Sequence, residues 1–174
     1  MKKVTYLLLL IIIFVFANCQ DKSTPQKQPA FQGQNQASEN EIRFLQDMVS
    51  KNPGNVNAWV KLGNVFMDIQ QYNGAIDAYQ KALEINPDIT NTRVDMGTCY
   101  RRTGRPDKAI KEYKKAIAKD PSHPNAHRNM GIVLGFDLDQ KDHAIKELQE
   151  YLRLLPQAPD RDNIRHAIEH LSAS

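Results

Sequence analysis

Trp59-Val60-Lys61-Leu62-Gly63-Asn64-Val65-Phe66, then Ala75-Ile76-Asp77-Ala78-Tyr79-Gln80-Lys81-Ala82, then Pro87: these three pieces decide how the chain folds. In the first, Trp59, Leu62, Gly63 and Phe66 stand at i, i+3, i+4 and i+7, one apolar stripe of a helix. In the second, Ala75, Tyr79 and Ala82 make another stripe at i, i+4 and i+7. The five residues Gln70-Gln71-Tyr72-Asn73-Gly74 between them read as a turn. Gly63 and Ala75 are small where two antiparallel helices must approach closely, and Tyr79 fills the wider gap. Pro87 has no amide hydrogen to donate, so the second helix stops there. Neither helix can hide its stripe alone, and such units must stack.

The same pattern returns after 34 residues. Leu62 aligns with Met96 and Met130, Gly63 with Gly97 and Gly131, and Phe66 with Tyr100 and Leu134. Ala75, Tyr79 and Ala82 recur as Ala109, Tyr113 and Ala116, and Pro53 as Pro87 and Pro121. In the third unit Ala144, Leu148 and Pro156 fall 35 residues after their counterparts, so one residue has been inserted. Trp59 becomes Arg93 and then His127, and Ala116 becomes the bulky Tyr151, expected to cover the outer face of a last unit. Trp59-x-x-Leu62-Gly63-x-x-Phe66 with Ala75-x-x-x-Tyr79-x-x-Ala82 and Pro87 resembles the tetratricopeptide repeat. The resemblance implies an all-α fold, a right-handed superhelical solenoid of three antiparallel helix pairs. The repeats are expected over about residues 56–89, 90–123 and 124–157, within a domain of residues 39–174.

Both ends look capped. Ile42, Leu45, Met48 and Val49 form one apolar stripe ahead of Pro53, a lone helix before the first pair. After Pro159-Asp160, a helix over about 160–172 carries Ile164, Ala167, Ile168 and Leu171 on one face and Arg165, Glu169 and His170 on the other. One helix, three pairs and one helix make eight.

Outside that domain the N-terminus reads as an address. Lys2 and Lys3 precede the apolar run Val4 to Ala17, the layout of a secretory signal peptide over residues 1–18. The run falls short of the roughly 20 residues needed to span a bilayer. Cys19 at its end resembles the lipidated cysteine of the bacterial lipobox, with Ala17 matching and Asn18 departing from that pattern. Residues 19–38 hold Pro25, Pro29 and Gly33 among many glutamines, and read as a disordered tether. The expected product is an exported, membrane-anchored envelope lipoprotein facing the periplasm.

Charge and motifs exclude several functions. Without the first 18 residues the chain keeps 21 Lys and Arg against 20 Asp and Glu, no basis for nucleic-acid binding. His166 and His170 are four apart on a helix, and His123 and His127 are also four apart, yet no third ligand stands at metal-site spacing and no HExxH occurs. Once Cys19 is lipidated, Cys99 has no resolving partner; no spacing suggests a nucleophile and base, and no glycine-rich phosphate loop is present. The chain reads as non-enzymatic, with no cofactor and no metal.

Binding remains. In tetratricopeptide repeats the first helix of each pair lines a concave groove. The resemblance places Asn57, Val60, Asn64, Met67 and Asp68 there, then Asn91, Val94, Thr98, Arg101 and Arg102, then Asn125, Arg128, Ile132 and Phe136. Asn57, Asn91 and Asn125 are equivalent and can donate to and accept from a peptide backbone. Arg101, Arg102 and Arg128 cluster toward the middle of the groove, and residues 90–123 carry nine basic and four acidic side chains, a basic waist that suits an acidic peptide or a terminal carboxylate. The stretch from Arg93 to Arg105, together with Gly131 to Asp137, also looks like repeat proteins found near bacterial cytochrome c maturation systems. That likeness implies an accessory, chaperone-like subunit.

Overall fold

The structure, a computed structural model, describes residues 30–173, and a compact unit spans Gln34 to the C-terminus. Among the described residues every regular element is helical: α1 (Ala30–Lys51), α2 (Val56–Asp68), α3 (Tyr72–Ile85), α4 (Thr90–Arg102), α5 (Pro106–Lys119), α6 (Pro124–Ile132), a π-helical turn (Val133–Asp137), α7 (Lys141–Leu154) and α8 (Arg161–Ala173). The expected signal peptide, Cys19 and the first part of the expected tether lie outside the described residues.

Residues 30–38, read as the end of a tether over 19–38, belong to α1, which begins at Ala30. No proline follows Pro29 before Pro53, and the intervening Gln, Ala and Glu residues are good helix formers. Farther along, Leu45 and Val49 of α1 are buried against Ala58, Leu62 and Ala78.

Helices α2 and α3, α4 and α5, and α6 and α7 pack as pairs, and each pair lies against the next. A tyrosine makes each of the first two pairs tight. A methyl group on Gly63 would stand 2.3 Å from Tyr79 Cε1, and one on Gly97 would stand 2.5 Å from Tyr113 Cε1. Both tyrosines are fully buried, so the helix backbones approach closely only because these positions lack a side chain. The turn inside each pair needs a left-handed residue, supplied by Gln70 (φ 62°), Gly104 (φ 70°) and Asp139 (φ 51°) at equivalent places.

The three departures Trp59, Arg93 and His127 turn out to do one job. Trp59 Nε1 donates to the Pro53 carbonyl at 2.9 Å, Arg93 Nη2 to the Pro87 carbonyl at 3.0 Å, and His127 Nε2 meets the Pro121 carbonyl at 3.0 Å. Each ties the first helix of its pair to the preceding turn. The paired helix compensates for the change of side chain. Trp59 packs in the cluster that holds the small Ala78, whereas Arg93 pairs with Glu112 at 2.8 Å and His127 with Glu147 at 2.6 Å.

The inserted residue of the third unit is absorbed in the π-helical turn, where the Leu138 amide donates to the carbonyl of Val133, five residues back. Beyond it, α8 closes the stack. Ile164 and Leu171 join Leu134, Leu148 and Tyr151 in one buried cluster. Tyr151 lies under this cap, 3% exposed, and its hydroxyl donates to Asp160 at 2.6 Å.

Candidate functional site

The residues assigned to the groove sit on α2, α4, α6 and the π-helical turn. Asn57, Asn64, Asp68, Asn91, Arg102, Asn125 and Phe136 are exposed, and Val60, Met67, Thr98, Arg101, Arg128 and Ile132 are partly buried. Val94 is a correction. It is 3% exposed and belongs to the core cluster with Ala109 and Tyr113, so it offers a ligand nothing. The periodicity around Arg93 and Val94 is ambiguous, because Arg93 takes an apolar residue's place and leaves Val94 to fill the core.

Polar side chains form linked rows beneath this surface. The Tyr79 hydroxyl donates to Asn64 Oδ1 at 2.8 Å and reaches Met67 Sδ at 3.8 Å. One repeat further, Tyr113 Oη and Thr98 Oγ1 are 3.3 Å apart, and Asn129 Nδ2 donates to Thr98 Oγ1 at 3.3 Å. Asn91 Oδ1 lies 2.7 Å from His123 Nε2, while His123 Nδ1 accepts the Ala126 amide and caps α6. Asn91 therefore keeps its amide hydrogens for a ligand, and His123 is used as a spacer with both nitrogens occupied. Burial, reinforced by Asp95, Cys99 and Asp68, pushes the Tyr79 hydroxyl far above its ordinary value. Burial and then Asp95 push the Cys99 thiol up to about 12, which leaves it no thiolate near neutral pH.

Two of the three arginines at the centre of the basic waist are occupied by the chain's own carboxylates. Arg101 grips Asp137 through Nε at 2.5 Å and Nη2 at 3.1 Å, a bidentate pair that the π-helical turn makes possible. Arg128 Nε donates to Asp160 at 2.5 Å. Against the upward push of burial, the Tyr151 and Arg128 hydrogen bonds hold the Asp160 carboxyl below its ordinary value. Arg93 is taken by Glu112, and Lys119 by Asp88. Arg102 remains exposed and makes no ion pair among the described residues, at the mouth of a cleft shared with Arg101, Gly104, Pro106 and Asp137.

Asp95, which the sequence reading did not assign to the groove, lies four residues after Asn91 on the same helix. The histidine pairs stay apart in role: His127 serves the Pro121 carbonyl and Glu147, and His166 lies 3.3 Å from Glu169 on α8. The Phe136 ring faces His170 at 6.2 Å between centroids. No group of three metal-ligating side chains occurs among the described residues. No helix among them is long and apolar enough to cross a membrane.

Solved structures with the same architecture are numerous. The chain superposes on the crystal structure of MamA protein with a TM-score of 0.74 at 21% identity, covering 80% of this chain and 74% of that one. It matches the Arabidopsis OM64 TPR domain with a TM-score of 0.63 at 19% identity, over 68% of this chain and 94% of that one. It matches the first TPR of Spaghetti (RPAP3) bound to HSP90 peptide SRMEEVD with a TM-score of 0.64 at 24% identity, over 68% and 94% respectively. At these identities the likeness shows the fold, a tetratricopeptide-repeat solenoid. No curated protein matches the chain in sequence. A family model, that of the cytochrome c-type biogenesis protein H TPR domain, matches residues 25–162. With paired helices, tyrosine-filled glycines and caps as described, the chain belongs to the family of the cytochrome c-type biogenesis protein H TPR domain.

Proposed function

We propose that this chain is a non-enzymatic scaffold that holds a segment of a partner protein in the groove lined by α2, α4 and α6. The carrying observation is the row of exposed asparagines Asn57, Asn91 and Asn125, one per repeat at equivalent places. Such a row meets the backbone of an extended or helical segment at regular intervals without demanding particular side chains. Arg102, the arginine of the waist left exposed, supports an acidic group on the partner at that end of the groove. The structural neighbour bound to HSP90 peptide SRMEEVD supports the reading. A photoreactive residue at position 98, on the groove, should capture a partner in the native cell, and one at position 114 on exposed α5 surface should not. Equal capture from both positions would overturn the reading.

A second reading names the setting: an accessory, chaperone-like subunit in cytochrome c maturation or envelope assembly. The family match over residues 25–162 supports it. Loss of haem staining of c-type cytochromes on deletion of the chain, restored by the wild type, is the expected result. Export and lipidation at Cys19 belong to the same reading, placing the chain in the cell envelope by its anchor. Cys19→Ser should then release it from membranes.

A further inference from the structure

Helix α4 presents Asn91, Asp95, Thr98 and Arg102 at i, i+4, i+7 and i+11, a single face. Asp95 is partly buried there and makes no hydrogen bond or ion pair among the described residues. Its setting is unlike that of the carboxylates nearby. Asp137 and Asp160 each hold an arginine, and Glu112 holds Arg93 and Lys115. The charge of Asp95 instead helps raise the pKa values of the Tyr79 and Tyr113 hydroxyls and of the Cys99 thiol, and Asp68 of the preceding repeat also acts on Tyr79. His123 acts on Asp95 as well, but its nitrogens are engaged by Asn91 and Ala126. The outcome is a partly buried carboxylate on the groove-side face of α4 that makes no ion pair among the described residues.

We propose that Asp95 receives a lysine or arginine side chain of the bound segment, so that the groove selects a cationic residue at the junction of the first two repeats. This rests on the groove reading above and adds the chemistry of the occupant to it. An uncompensated, partly desolvated carboxylate disfavours the empty groove, and an incoming ammonium or guanidinium removes that penalty while gaining a charge-assisted hydrogen bond. Met67, whose sulfur also reaches the Tyr79 hydroxyl, gives the aliphatic stem of such a side chain an apolar surface. Arg102 stands seven residues further along α4, roughly 10 Å by helix rise. The favoured segment thus carries a cation at one point and an acid about that distance away.

The test is a random-peptide phage library panned on the purified chain, repeated on Asp95→Asn, with binders measured as synthetic peptides. Groove binding is identified separately, by loss of each peptide's affinity on Asn57→Ala/Asn91→Ala/Asn125→Ala. Groove binders of the wild type should be enriched in lysine or arginine. For such a peptide, Asp95→Asn and exchange of the peptide's cation for glutamine should each weaken binding about tenfold, and the double change should cost little more than either one. Groove binders without cationic enrichment, or losses that simply multiply in the double change, would overturn the role of Asp95 and leave the groove reading standing. If no peptide depends on the three asparagines, the groove reading fails and this inference with it. Unchanged far-ultraviolet circular dichroism of Asp95→Asn separates these outcomes from misfolding.

Discussion

At the scale of single residues, the instructive positions are those where a repeat departs from its neighbours. Arg93 and His127 hold the proline carbonyls that Trp59 holds in the first unit, and each substitution is matched by a glutamate on the partner helix. Glu112 is 8% exposed, so Arg93→Leu strands a buried carboxylate with only Lys115 beside it and should cost about 3 kcal/mol in urea unfolding. Arg93→Trp combined with Glu112→Ala rebuilds the Trp59 and Ala78 arrangement and should recover most of that loss. Asp95 carries the opposite sign. Burial raises its carboxyl above the ordinary value of 3.8, so the folded chain holds that proton more tightly than the unfolded chain. Its cost is therefore absent below the ordinary value and grows as pH rises through the folded-state value. Asp95→Asn should raise the melting temperature near pH 7, with a gain that fades toward about pH 3 in thermal melts.

At the scale of the element, the helix pairs are set by where a side chain is missing. Gly97→Ala places a methyl group 2.5 Å from Tyr113, which is 1% exposed and has no room to retreat. The expected loss is about 1–3 kcal/mol in thermal or urea unfolding. Gly104 differs, since a methyl group there meets nothing within 4 Å. Its positive φ is shared with Gln70 and Asp139, and the repeat tolerates non-glycine residues in that turn. Gly104→Ala should cost about 1 kcal/mol through backbone strain alone. The element-level surprise is the π-helical turn. The 35-residue step announces an inserted residue, but only packing decides that it is taken up inside the first helix of the third pair, where it brings Asp137 to Arg101. Arg101, which looked free in composition, is for that reason paired.

At the scale of the whole molecule, the chain is a line of units whose third member depends on its cap. Helix α8 covers Leu134, Leu148 and Tyr151 through Ile164 and Leu171, and Asp160 at its start ties Tyr151 to Arg128. Removing residues 161–174 should make the amides of α6 and α7 exchange rapidly with solvent, while α2 and α3 keep their protection, as measured by hydrogen exchange. The 34-residue spacing, the apolar stripes and both lone helices were legible in the sequence, because burial of one helix face leaves a periodic trace in every unit. The proposed groove positions follow from the same periodicity, by translation along the repeat. Tertiary structure alone decided that Val94 is core, that Arg101 and Arg128 are paired within the chain, and that Asp95 makes no ion pair among the described residues. Periodicity reports which way a residue faces along its own helix. Which charge meets which depends on side chains 32 to 36 residues apart arriving at the same place, and no local pattern records that meeting.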